Sequence, residues 1–245
     1  MFDSIRPWLL RLPPAGWPSH ELLNSLASEA RVCTATGKPV RFVPPSAADP
    51  YYEIHVHESG CVATRLQNRH DLFNALAWLA FPRTKAAINA LHAAEIARES
   101  GRRGRVRDML TIFDEGGAIV ACADANLEAM IHGFRWKELF WDRRAQVRRD
   151  LSFIVLGHAV LEQALEPWPG ITCKVIFAPP DADADDFAAK WLRAHASSGT
   201  PKLLAPLPIF GYPGWHPGTE SEAFYTDERY FRPLRREPLR ARHSG

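Results

Sequence analysis

Cysteine is scarce: the 245 residues hold four, Cys33, Cys61, Cys122 and Cys173. None forms a Cys-x-x-Cys pair, which removes zinc-ribbon and thioredoxin-type readings. Cys61, Cys122 and Cys173 fall in apolar, strand-like stretches, where a free thiol behaves as a small hydrophobe. No apolar run reaches ~18 residues, so no transmembrane helix and no membrane partner are expected. An acid at position 3 and early prolines interrupt any secretory leader, so the expected location is a reducing cytoplasm. Gly-x-Gly-x-x-Gly, the phosphate-loop lysine motif and the Gly-x-Ser-x-Gly elbow are missing too, which weakens nucleotide-cofactor and serine-hydrolase readings.

Charge of one sign is also missing, since 30 Lys plus Arg face 28 Asp plus Glu for a net +2. Basic residues cluster locally at 98–107, 143–149 and 229–243, either as solvated faces or as an anion- or nucleic-acid-binding rim. Apolar residues make up 46% of the chain, enough for a substantial core without staples.

The expected fold class is α+β: a single compact domain spanning 1–245, with short β-hairpins, several helices and an irregular Pro/Gly-rich C-terminal arm. Residues 1–18 and about 200–245 read as irregular wrapping segments. Ser19 is placed to cap a helix over 20–31. Residues 51–57 alternate and predict a strand, with a turn at 58–60 and a return strand at 61–66. Helices are predicted at 70–80 and 83–98, separated by Pro82. A second hairpin is expected from 106–113 and 118–121 around Asp114-Glu115-Gly116-Gly117. The two hairpin-helix units hint at an internal repeat, which chance explains equally well. Helices at 124–133, 136–149 and 183–196, strands at 151–156 and 171–177, and a short helix after Gly157 complete the reading.

Four constellations carry polar chemistry. Arg65, Asn68, His70, Asp71 and Asn74 gather at a helix start, where a cap and a metal or acid/base site are both consistent. Lys85, Asn89 and His92 lie at i, i+4 and i+7, one helical stripe suited to a pocket wall. Arg107 and Asp108 sit beside the expected turn at Asp114 and Glu115. His158 and Glu162 at i, i+4 suit one divalent ion or a buried pair. The His70-Asp71 start is similar to that of metal-dependent phosphohydrolases, with His55 or His57 and Asp108 as further ligands. The element order is also similar to small metal-dependent nucleases.

Several long motifs carry a further likeness: TRLQNRHDLFNALAWLAFPRTKAAINALH, RDMLTIFDEGG, FRWKELFW, LGHAVLEQALEPW, PLPIFGYPGW and FYTDERYFRP. Together they resemble a proteobacterial family catalogued as a domain of unknown function, the 3025 family, over about residues 51–233. The resemblance implies a single unit in a cytoplasmic bacterial setting and transfers no catalytic residue. Arg69 departs from it, because that position is often aromatic in relatives.

The residues are best read as a cytoplasmic metal-assisted hydrolase, a phosphoesterase among the options, with a divalent metal as cofactor. His70, Asp71, Asp108 and His158 are the catalytic candidates. Arg65, Asn74, Lys85, Asn89 and Arg107 are the substrate-binding candidates, and His92 and Glu162 the metal candidates. The alternative is a non-catalytic binder of an anionic ligand, nucleic acid or protein; a third reading makes the motifs caps and buried networks. The deciding expectation is that His70, His92, Asp108 and His158 converge within ~8 Å in one concave pocket.

Overall fold

The computed structural model describes residues 1–46, 51–99 and 102–234. The Pro50 loop signal, Gly101 of the Gly/Arg loop and the basic tail over 235–243 lie outside the described residues. Among the described residues no helix is long and apolar enough to cross a membrane.

After the one-turn helix α1 (Arg6–Leu9), the Ser19 hydroxyl accepts from the Leu22 N–H and starts α2 (His20–Glu29), as its capping chemistry predicts. Strands β1 (Arg41–Val43) and β2 (Cys61–Ala63) pair in parallel. Parallel strands need a crossover, and residues 51–57 supply it as α3 (Tyr52–Ser59) rather than as the expected strand. The turn signal at Gly60 is that helix's left-handed C-cap, at φ 76°. A side chain there would also meet the Pro39 carbonyl at 2.3 Å.

Helix α4 (Arg69–Ala80) is capped by the Asn68 side chain, and Pro82 sits in the first turn of α5 (Pro82–Arg98). The second expected hairpin is replaced by α6 (Arg105–Gly116). The physical reason lies in spacing. Val106, Met109, Leu110 and Phe113 form an i, i+3, i+4, i+7 stripe and are all buried. Each of the two segments is therefore helix, glycine, strand, and not hairpin.

Helix α6 runs directly into β3 (Gly117–Cys122), the second strand of a sheet ordered β4-β3-β5-β6. β4 (Leu151–Val155) is antiparallel to β3, and β5 (Thr172–Ala178) is parallel to it. β6 (Ala205–Pro208), from the proline-rich arm, closes the edge antiparallel to β5. Both faces of β3 are covered. Ala118 and Val120 pack into one apolar cluster with α2, α4 and the aromatic arm. Ile119 packs into another with α5, α6 and α10 (Ala184–Ala194).

Asp124 caps α7 (Ala125–His132). The helix expected over 136–149 divides into a π-helical turn at Glu138–Asp142 and α8 (Arg144–Asp150). Helix α9 (His158–Gln163) follows β4. The architecture is α+β, as expected, though neither hairpin sits where the alternation places it.

Candidate functional site

Three helix ends meet beside the start of β3. The first turn of α4 contributes His70, the last turn of α6 contributes Asp114 and Glu115, and the first residue of α9 is His158. Glycine makes this meeting tight. A Cβ on Gly157 would lie 2.6 Å from the Gly117 nitrogen and 2.7 Å from the Glu115 carbonyl. The Gly157 N–H instead donates to the Gly117 carbonyl at 2.8 Å, which fixes the start of α9 against the end of α6.

The result is a cluster of His70, Glu115 and His158, whose ligand atoms all lie within 4.8 Å of one another. The two Nε2 atoms are 3.2 Å apart. Glu115 Oε2 is 3.5 Å from that of His158 and 3.9 Å from that of His70. Each ring is also held from behind. His158 Nδ1 lies 2.9 Å from the Asp114 carbonyl, one of the oxygens that a helix C-terminus leaves without an internal partner. His70 Nδ1 lies 3.2 Å from Glu162 Oε2.

These contacts restrict the tautomers. A carbonyl only accepts, so His158 carries its proton on Nδ1 and presents a lone pair at Nε2. An ionised Glu162 asks the same of His70. Two imidazole lone pairs and a carboxylate then face one centre with no hydrogen among them. A cation at that centre, either a proton on His70 or a metal ion, satisfies all three. Burial pushes His158 down to about 4, so it is neutral at ordinary pH and suited to ligation. Burial, then the neighbouring Asp114 charge, raises the Glu115 carboxyl.

The cluster opens into a cavity of about 360 Å³ that Tyr52, Glu53, Arg65, Asp71 and His92 also line. His70 and Glu115 remain partly open, with side chains 38% and 42% exposed, whereas His158 is at 4%. Beneath the wall lies a buried polar network. Lys85 Nζ donates to Asp114 Oδ1 at 2.5 Å and to Asn74 Oδ1 at 2.8 Å. Burial opposes the Asp114 charge, yet Lys85 holds that carboxyl below its usual range. Asn74 donates to the Tyr52 hydroxyl, and Asn89 donates to the Glu53 carboxylate at 2.9 Å. Burial raises Glu53 to about 7 against the opposing Asn89 bond.

The convergence expected from sequence is met in part. His70, His92 and His158 line one cavity. Asp108 does not join them. It pairs with Arg103 at 2.9 Å, six residues before Asp114 and therefore ~9 Å up the α6 axis. His92 lines the cavity but stands outside the three-residue ligand group, and its Nδ1 is buried without a partner. Glu162 is not in that group either, because it turns to His70 rather than sharing an ion with His158.

Asp71 is held by the Arg65 backbone N–H at 2.7 Å and by its guanidinium at 2.9 Å. Burial works against its charge, but Arg65 keeps the carboxyl below its usual range, which makes it a poor base. Lys85 and Asn89, each 3% exposed, support the wall rather than reach a ligand. Arg107 is engaged by Glu99 at 2.5 Å and by the Tyr51 hydroxyl at 2.6 Å and is not among the residues that line the cavity. Asp114 and Glu115 escaped sequence reasoning because the turn reading accounted for them; the helical stripe of α6 is the signal that places them.

Among the described residues, part of each basic segment is paired. Arg98 pairs with Glu95, Arg103 with Asp108, Arg144 with Glu220 and Arg149 with Asp150.

Residues 40–235 match a protein-family model described as "Protein of unknown function (DUF3025)". No curated protein matches the chain, and no solved structure does.

Proposed function

The chain belongs to the DUF3025 family, and from that premise we propose that it is a metal-assisted hydrolase whose ion is held by His70, Glu115 and His158. The observation that carries this is the pair of rings that converge through Nε2 while acceptors hold both Nδ1 atoms. Histidines oriented from behind in this way are characteristic of metal ligation. Two histidines and one glutamate leave coordination positions for water and substrate, as in hydrolytic zinc sites. The partly exposed side of His70 and Glu115 gives those positions access to the cavity. A bound divalent ion would lower the pKa of its water and polarise a carbonyl. Glu53, raised to about 7 on the same wall, suits proton transfer near neutral pH.

Asp71 is tied to Arg65 and Asp114 to Lys85, so with a divalent ion bound beside Glu115 the cavity is not net acidic, and a phosphoester suits it as well as an ester or amide. Elemental analysis and calorimetry with Zn²⁺ and Mn²⁺ test the site. Esterase, amidase and phosphoesterase assays with each ion test the reaction. The expected result is one ion per chain and chelator-sensitive hydrolysis in one of these assays, both lost in His158→Ala. Absence of stoichiometric binding by either ion would overturn it.

A further inference from the structure

A second cavity, of about 810 Å³, shares no lining residue with the first and falls within the usual size of small-molecule sites. Its floor is the β5–β6 edge of the sheet. Thr172 and Lys174 of β5 oppose Pro208 and Pro206 of β6, and all four line it. Side chains alternate along a strand, so these residues face away from Cys173 and Val175, which are fully buried in the core.

The walls are aromatic. Trp136 and Tyr230 are 4% and 5% exposed, while Trp168 is 55% exposed at the rim. Trp168 lies against the backbone of Gly170, where a Cβ would come within 1.7 Å of its ring. The Trp136 indole N–H donates to the Arg232 carbonyl at 2.8 Å, which fixes that ring.

Charge in this cavity is unbalanced. Lys174, Arg229 and Arg232 line it with a single acid, Asp227, and Arg229 already pairs with that acid at 2.8 Å. Among the described residues Lys174 and Arg232 have no acidic partner. Burial pulls the Lys174 ammonium below its ordinary range, as expected of a partly desolvated cation with no acid beside it. An extended peptide is a poor occupant. Prolines 206 and 208 supply no N–H, so the outer edge of β6 cannot ladder with an added strand.

The geometry points to a binding site for a small anion with a flat apolar body, of the aryl-carboxylate class. Its carboxylate would meet Lys174 and Arg232, and its ring the Trp136 and Trp168 side of the cavity. A charge-assisted contact supplies orientation and the aromatic walls supply area. The site does not depend on the metal reading of the His70 cavity.

The test titrates the full chain with 2-naphthoate and with the neutral 2-naphthylmethanol, read by tryptophan fluorescence and calorimetry. The anion is expected to bind at least about tenfold more tightly. Lys174→Gln should remove that preference, and Trp168→Ala should weaken both ligands. Equal binding of the two probes, an unchanged preference in Lys174→Gln, or no binding at millimolar naphthoate would overturn the site. If Lys174→Gln melts early, added salt provides the same reading on the unaltered chain: it must narrow the preference, and a salt-insensitive preference counts against the site.

Discussion

His70 and His158, 88 positions apart in the chain, face each other through Nε2 atoms 3.2 Å apart. With both rings neutral and bonded through Nδ1, neither has a hydrogen to offer the other at Nε2. A metal ion that fills this centre should stabilise the fold as well as occupy it. At a free ion concentration of 100 times Kd the gain is about 2.7 kcal/mol, read as a rise in Tm with added Zn²⁺. His70→Ala and His158→Ala should melt at temperatures that ignore the ion. An equal rise in those variants would place the metal elsewhere.

Glu162 touches His70 and not the shared centre. Glu162→Ala should therefore keep the stoichiometry of one ion per chain while weakening its affinity by about 10- to 100-fold. Competition with a calibrated chelator measures this. Complete loss of binding would make Glu162 a ligand, and unchanged affinity would remove its orienting role.

Lys85 and Asp114 form an ion pair whose side chains are 4% and 20% exposed. Lys85→Met leaves the largely buried Asp114 carboxylate without its cation, at a cost of about 3 kcal/mol in urea unfolding. Lys85→Met combined with Asp114→Asn should recover much of that loss, because no buried charge remains. Additive losses would mean that the pair contributes through packing alone.

Glu53 is raised from 4.5 to about 7 by burial. The folded state then holds its proton more tightly than the unfolded chain between these two values. The stability linked to this group is present below about 4.5 and is lost as pH rises toward 7. At ~1.4 kcal/mol per unit, the loss is at most on the order of 3 kcal/mol. Glu53→Gln keeps an acceptor for Asn89 and removes the titration. Its Tm should match the parent near pH 4.5 and exceed it at pH 8. A difference independent of pH would refute the assignment.

Much of the helical frame was legible because capping is local chemistry. Ser19, Asn68, Asp124 and Asp183 each accept from a nearby backbone N–H, at the helix starts their residue types announce. Residues 51–57 misled because a seven-residue alternation with one buried member, Val56, fits a short helix as well as a strand. Assigning 106–113 to a strand hid the carboxylate that completes the histidine pair. The partner of Glu162 was out of reach for another reason. Spacing along α9 pairs it with His158, whereas the packing of α9 on α4 pairs it with His70, and helix packing leaves no periodic trace in one sequence.

The glycine joint at Gly117 and Gly157 ties the centre to the sheet. Glu115 and His158 are held together where β4 pairs with β3, since the Leu156 and Gly157 N–H groups both bond to the Gly117 carbonyl. His70 arrives on a separate helix from far earlier in the chain. No single segment of the chain carries the three groups in ligating geometry by itself, so the centre exists only as a property of the whole fold. The apolar clusters on both faces of β3 do not include these groups, and chelation should leave a folded protein behind.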